Sequence, residues 1–145
     1  MIAVDTNILV YAHREDSQWH QKADRCLTEL AESGQAWAIP WSCIHEFLAI
    51  TTHPKIYSPP TPLQDALLQI DCWLEAPTLM LLSETNAYWS SLADIACLAR
   101  IKGPQIHDAR IAAICLQHDV EEFWTADRDF SRFPQLGIRN PLIET

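Results

Sequence analysis

Apolar residues recur along this chain in two rhythms. Ile2-Ala3-Val4 is a short unbroken apolar run, the pattern of a strand buried on both faces. Past Thr6-Asn7, which reads as a turn, Ile8, Leu9 and Tyr11 take up helical spacing. Trp19, Ala23, Leu27 and Leu30 keep that spacing and predict a second helix from Asp16 to Ser33, with Ser33-Gly34 as its stop. Ala36-Trp37-Ala38-Ile39 is a second strand closed by Pro40, and Ser42 is placed to cap a helix reaching Thr51.

The second half repeats the alternation. Residues 53–62 hold four of the nine prolines and form an irregular, stiff loop. Thr61-Pro62-Leu63-Gln64 matches a capping box with proline at the first helical position, opening a helix to about Glu75. Thr78 to Leu82 predicts a third strand, and Asn86 to Arg100 a helix broken by Lys102-Gly103-Pro104. His107 to His118 predicts a further helix, Glu122 to Thr125 a fourth strand, and Leu136 to Ile138 a short last one. Strands separated by helices predict an α/β fold around a mainly parallel sheet. With no repeat, low-complexity tract or linker, residues 1–145 read as a single domain.

Composition narrows the class. A chain with 48% hydrophobic and 20% charged residues is ordinary for a globular protein. No stretch nears the roughly 20 apolar residues of a membrane span, so no membrane partner is expected. The N-terminal run is broken by Asp5 and Asn7 and lacks a basic lead, which excludes a signal peptide. Five cysteines, an odd number without a CxxC pair, fall in helical patterns as small hydrophobes and fit a reducing cytoplasm. The net charge of −9, from 19 acids against 10 Lys and Arg, opposes the basic footprint of a nucleic-acid binder. It does so unless some carboxylates are gathered to hold divalent cations, which inverts the local field.

Four acids have a structural reason to meet. Asp5 and Asp127 each follow a predicted parallel strand, so both belong to the sheet edge where ligands of open α/β folds collect. Asp108 lies in the first turn of a helix whose start belongs to the same edge. Glu46 lies early in the helix after the second strand, bordering Cys43, Phe47 and Ile50. Singly, each has an ordinary role: helix cap for Asp5, dipole partner for Asp108, surface charge for Glu46, turn former for Asp127. Together they would repel and raise one another's pKa, a cost that a divalent cation removes. All-oxygen ligation suits Mg2+ or Mn2+, and such a cluster supports phosphodiester hydrolysis by metal-activated water without a protein nucleophile. Thr6, Asn7 and Thr125 either hold these carboxylates by hydrogen bonds or serve only as cap and turn residues.

In order, Asp5-Thr6-Asn7, His45-Glu46-Phe47, His107-Asp108-Ala109-Arg110-Ile111-Ala112 and Trp124-Thr125-Ala126-Asp127-Arg128-Asp129-Phe130 resemble the PIN-domain nucleases. The match is closest to the VapC toxins of bacterial toxin–antitoxin pairs, and it spans essentially the whole chain, Thr52-His53-Pro54-Lys55 included. The resemblance implies a three-layer α/β/α fold and a Mg2+- or Mn2+-dependent endoribonuclease acting on RNA. It also implies a cognate antitoxin and a homodimer. By position it makes Asp5 and Asp108 the main metal ligands, with Glu46 and Asp127 completing the acidic pocket. The Thr-x-Asp pattern favours Asp127 over Asp129 as the fourth acid, leaving Asp129 to cap the turn into Phe130.

RNA would be met by Arg14, Lys55, Lys102, Arg110 and Arg128, whose ordinary role is that of solvated surface charges. Trp19, Trp37, Trp73, Trp89 and Trp124 fit core positions, whereas Trp41 beside Pro40 is placed to stack on a base. Trp19, Leu27 and Leu30 either belong to the core or line a groove for an antitoxin helix. Other uses of strand-end acids fit less well: a phosphoacceptor domain wants adjacent acids near the first strand, and an aspartyl phosphatase wants a second Asp at the position of Asn7. A solitary RNA-processing PIN nuclease is one alternative. A non-catalytic PIN-like RNA-binding protein is another, and it predicts a damaged acidic set.

Overall fold

Five short apolar segments form the strands Ile2–Val4 (β1), Trp37–Pro40 (β2), Leu79–Leu82 (β3), Glu122–Trp124 (β4) and Gly137–Arg139 (β5). In this computed structural model, which describes residues 1–143, they pair as one sheet in the order β3-β2-β1-β4-β5, and every pairing is parallel. β1 lies at the centre, with Ile2 level with Trp37 on one side and Glu122 on the other. Covered on both faces, its Ala3 and Val4 are fully buried, which is why this strand reads as an unbroken apolar run.

Six helices cover the sheet: Thr6–His13 (α1), His20–Glu32 (α2), Trp41–Thr51 (α3), Leu63–Leu74 (α4), Tyr88–Ala99 (α5) and Ile106–Gln117 (α6). β1, β2 and β3 step in one direction, so right-handed crossovers place α1 to α4 on one face; the return from β3 to β4 places α5 and α6 on the other. The packing agrees, with α1 against α2 and α3, α3 against α4, and α5 against α6. This is the expected three-layer α/β/α arrangement. The direction of the connections reverses between β1 and β4, and that seam is where an open α/β sheet leaves a crevice.

Three expected helix starts are different in the structure. Residues 16–19 form turns before α2, because Arg14 closes on Asp16 and the Trp19 amide donates to Ser17 Oγ. Ser42 does not cap α3: the helix begins at Trp41 directly out of β2, and Ser42 lies buried in its first turn with an unpartnered Oγ. Thr61 does not cap α4 either; its Oγ1 is 3.1 Å from His13 Nε2 and 3.3 Å from Arg14 Nη1. Those bonds tie the proline-rich loop to the end of α1. At Thr61 a tertiary partner thus outcompetes the local cap.

The core centres on Phe47, fully buried and met edge-on by His13 at 5.3 Å and Trp73 at 4.9 Å. Trp37 and Trp124 are buried, and Trp19 and Trp73 are partly buried against the same core. Trp89 is not: at the second residue of α5 it is 74% exposed. Leu27 and Leu30 are buried and belong to the core. Gly137 admits a close backbone approach at the sheet edge, since a Cβ there would stand 2.4 Å from the Glu121 carbonyl oxygen. All five cysteines are free, and no described helix is long and apolar enough to cross a membrane. Phe47→Ala is expected to cost about 3–5 kcal/mol in urea unfolding, against about 0.5 kcal/mol or less for Trp89→Ala.

Candidate active site

The seam between β1 and β4 is built around one carboxylate. Asp5 leaves β1 in extended backbone, φ −81° and ψ 162°, and caps α1 by accepting the Thr6 amide at 2.7 Å on Oδ1. Cys43 Sγ on α3 approaches the same oxygen at 3.7 Å. Oδ2 accepts from Thr125 Oγ1 at 2.7 Å and from Asn7 Nδ2 at 3.2 Å. Four donors therefore fill the roughly four acceptor positions of a carboxylate. Asp5 is nonetheless 4% exposed, and burial pushes its carboxyl up to about 7 against the pull of the Thr125 and Thr6 hydrogen bonds, with the charges of Glu46 and Asp108 adding to the rise.

Thr125 is the hub on the β4 side. Its hydroxyl donates to Asp5 and accepts from Asn7 Nδ2 at 3.2 Å and from the Asp127 amide at 3.0 Å, which uses its proton and both lone pairs. Asn7 Oδ1 accepts the Ala126 amide at 3.0 Å, which fixes the orientation of its side-chain amide. Asn7 and Thr125 thus lash the first turn of α1 to the segment after β4. On the other flank Thr6 Oγ1 donates to Glu46 Oε2 at 2.9 Å.

Asp108 opens α6 half-buried, and its carboxyl is raised to about 6 by burial and by the charges of Asp127, Glu46 and Asp129. Asp127 follows β4 and accepts the Asp129 amide at 2.9 Å. Asp5, Glu46, Asp108 and Asp127 line one cleft of about 280 Å3, together with Thr6 and Asn7. The tightest grouping within this region is a different set: one oxygen each of Asp108, Asp127 and the exposed Asp129 lie within 4.8 Å of one another. Asp129 therefore stands beside Asp127 as a possible ligand, and Asp5 and Glu46 flank the trio. Hard carboxylate oxygens and raised carboxyl pKa values are the chemistry of a site that gains from a hard divalent cation.

Sequence reasoning missed Cys43 and Tyr57. Cys43 sits three residues before Glu46 on α3, so the helical spacing was a signal for it. Tyr57 reaches the cleft from the proline-rich loop, held under the Arg14 guanidinium at 4.2 Å, and no local pattern marks it. Two expected RNA-binding cations are committed elsewhere. Arg14 binds Asp16 at 2.9 and 2.6 Å, and Arg110 binds Glu84 at 3.0 and 2.8 Å. Among the described residues Lys55, Lys102 and Arg128 are exposed and make no ion pair. Trp41, 40% exposed, lies 6.5 Å from the His45 ring at an interplanar angle of 26°, immediately before Glu46.

The family model described as the PIN domain matches residues 2–136. The chain is 34% identical over 142 residues to ribonuclease VapC43 of Mycobacterium tuberculosis, covering 98% of this chain and 96% of that relative. This chain belongs to the PIN-domain family, among the VapC ribonucleases. Ribonuclease VapC48 of the same organism is 28% identical over 139 residues, covering 95% of each chain. The PIN fold is equally plain in solved structures. VapBC2 from Rickettsia felis, bound to a DNA fragment from its promoter, matches with a TM-score of 0.72 at 20% identity, over 97% of this chain and 98% of that one. FitAcB from Neisseria gonorrhoeae matches with a TM-score of 0.69 at 22% identity, over 99% and 100%.

The buried carboxyl of this PIN domain makes metal-free stability depend on pH. The folded-state value of Asp5 lies above its ordinary 3.8, so folding takes up a proton between 3.8 and about 7. Its contribution is fully present below the lower value, is lost as pH rises through the window, and is flat above it; Asp108 acts in the same direction. Urea unfolding of the wild type in EDTA should show this falling component between about pH 4 and pH 7 and none above it. Asp5→Asn should remove most of it, and a slope that persists in the variant would place the raised group elsewhere.

Proposed function

We propose that this PIN-domain protein is a divalent-metal-dependent endoribonuclease, hydrolysing RNA phosphodiester bonds as the toxin of a VapBC-type pair. The observation that carries the reading is the intact acidic cleft at the β1–β4 seam, with Asp5, Glu46, Asp108 and Asp127 on its walls. The relatives' names as ribonucleases and the VapBC complexes among the structural neighbours support it. A non-catalytic PIN-like protein predicts a damaged acidic set, whereas all four acidic positions are filled here.

Asp108, Asp127 and Asp129, with Asp5 and Glu46 beside them, would hold Mg2+ or Mn2+. A bound ion there lowers the pKa of water and neutralises charge on the phosphate. The protein's own share is orientation. Thr125, Asn7 and the Thr6 amide hold Asp5 in one pose, and the Asp129 amide holds Asp127. Glu46 uses one oxygen on Thr6, and its second has no partner among the described residues, so it is the group placed to accept a proton from the attacking water.

The antitoxin and a homodimer belong to the same proposal. Leu63, Leu67 and Leu74 are exposed along one stripe of α4, an apolar surface of the kind a protein partner covers. With every cysteine unpaired, a reducing cytoplasm is the matching location.

The test incubates purified protein with RNA in Mn2+, in Mg2+ and in EDTA, alongside Asp5→Asn and Asp108→Asn. Each substitution should lower cleavage at least about 100-fold, and EDTA should abolish it. Cleavage that survives chelation or either change sinks the mechanism. For the footprint, replacing Lys55 and Lys102 together by Ala should flatten the log–log salt dependence of single-stranded RNA binding by about 1.4, or about 0.7 per lost phosphate contact. An unchanged slope removes both lysines from the interface.

A further inference from the structure

A second cavity, of about 340 Å3, opens on the far side of Asp127 from the acidic cleft, and Asp127 lines both. It lies beyond the carboxyl ends of β4 and β5. Half-buried Ala126 and Ile138 give it an apolar floor, exposed Ile143 an apolar edge, and Arg128, Ser131 and Asn140 a polar rim. The rim is rich in donors. Asn140 Oδ1 accepts the Leu142 amide at 3.0 Å, which fixes the side chain and leaves its Nδ2 to donate elsewhere. Arg128 is exposed and, unlike Arg14 and Arg110, makes no ion pair among the described residues. Ser131 is exposed and adds a hydroxyl.

An apolar floor under a ring of donors is the arrangement that holds a splayed-out base, its face on the floor and its edge on the rim. The volume is near the lower end of small-ligand pockets, which run from about 300 to about 1,000 Å3, and suits one nucleoside and not a longer segment. It is also a rare place on a chain of net charge −9 where an unpaired cation borders the acidic cleft.

We infer that this cavity is a nucleoside subsite, which takes the base adjoining the scissile phosphate when that phosphate lies over Asp108 and Asp127. The inference rests on the ribonuclease reading. Because Arg128 and Asn140 offer donors, the subsite selects a base edge rich in acceptors, and guanine, with O6 and N7, fits an arginine best. Base selection at one flank of the cut is thus assigned to the β4–β5 edge.

The experiment cleaves a random-sequence RNA pool with the full chain in Mn2+ and sequences the new ends. It compares wild type with Arg128→Ala and Asn140→Asp. Asn140→Asp keeps the oxygen that accepts the Leu142 amide, so the turn is retained, but it replaces the donating nitrogen with an acceptor. The wild type should favour one base at one position beside the cut, and each variant should weaken that preference about fivefold or more while leaving other positions alone. Anisotropy of a fluorescein-labelled RNA oligonucleotide in EDTA reads the subsite without catalysis, and its Kd should rise about fivefold in each variant. A wild type with no base preference at the cut overturns the proposal, as do preferences and Kd that both variants leave unchanged. A wild type that binds RNA base-selectively in EDTA, through Arg128 and Asn140, yet cleaves nothing with metal keeps the subsite and loses the nuclease reading. One that binds no RNA either in EDTA or in Mn2+ overturns both.

Discussion

Everything at the functional edge hangs on a buried carboxylate that the protein has surrounded with donors. Asp5 closes β1, caps α1 and bonds to the segment after β4, so one side chain joins three elements across the seam of the sheet. The cost is evident in its raised pKa: an acid excluded from water and placed near two other acids resists ionisation. The hydrogen bonds offset only part of that. A fold that gained nothing from the charge would be better served by an apolar residue at this central strand end.

The same electrostatic tension organises the rest of the cleft. Asp108 and Asp127 come from different elements, one at a helix start and one after a strand, and the parallel topology brings both to one edge. Asp129 is pulled into the group by its amide on Asp127. Arg14 and Arg110 do little to relieve the repulsion, because they are paired with Asp16 and Glu84. Arg14 instead serves architecture, gripping the proline-rich loop that delivers Tyr57 to the cleft. An acidic chain with an unbalanced acidic cleft is consistent with a cation as the missing partner.

The strands, the helix count and the four acids were legible because each rests on a local rule. Short unbroken apolar runs and period-3.6 burial patterns mark elements whatever their partners, and carboxylates at strand ends follow from the direction of a parallel sheet. What was not legible was competition between local and distant partners. Thr61 carries a cap signature yet spends its hydroxyl on His13 and Arg14. Trp89 has the size and spacing of a core residue yet faces outward. Cys43 reads as one more small hydrophobe until α3 sets it against Asp5.

The order of elements, the family motifs and the gathering of four acids at one sheet edge were determined by the sequence by itself, because periodicity and short motifs are properties of neighbouring residues. Only the tertiary structure decided which carboxylates form the tightest group, which cations remain unpaired, and that Asp127 stands between two cavities. Those facts depend on how separate elements come to stand beside one another, as they do where Asn7 meets Thr125 across 118 positions, and no local pattern records such distances.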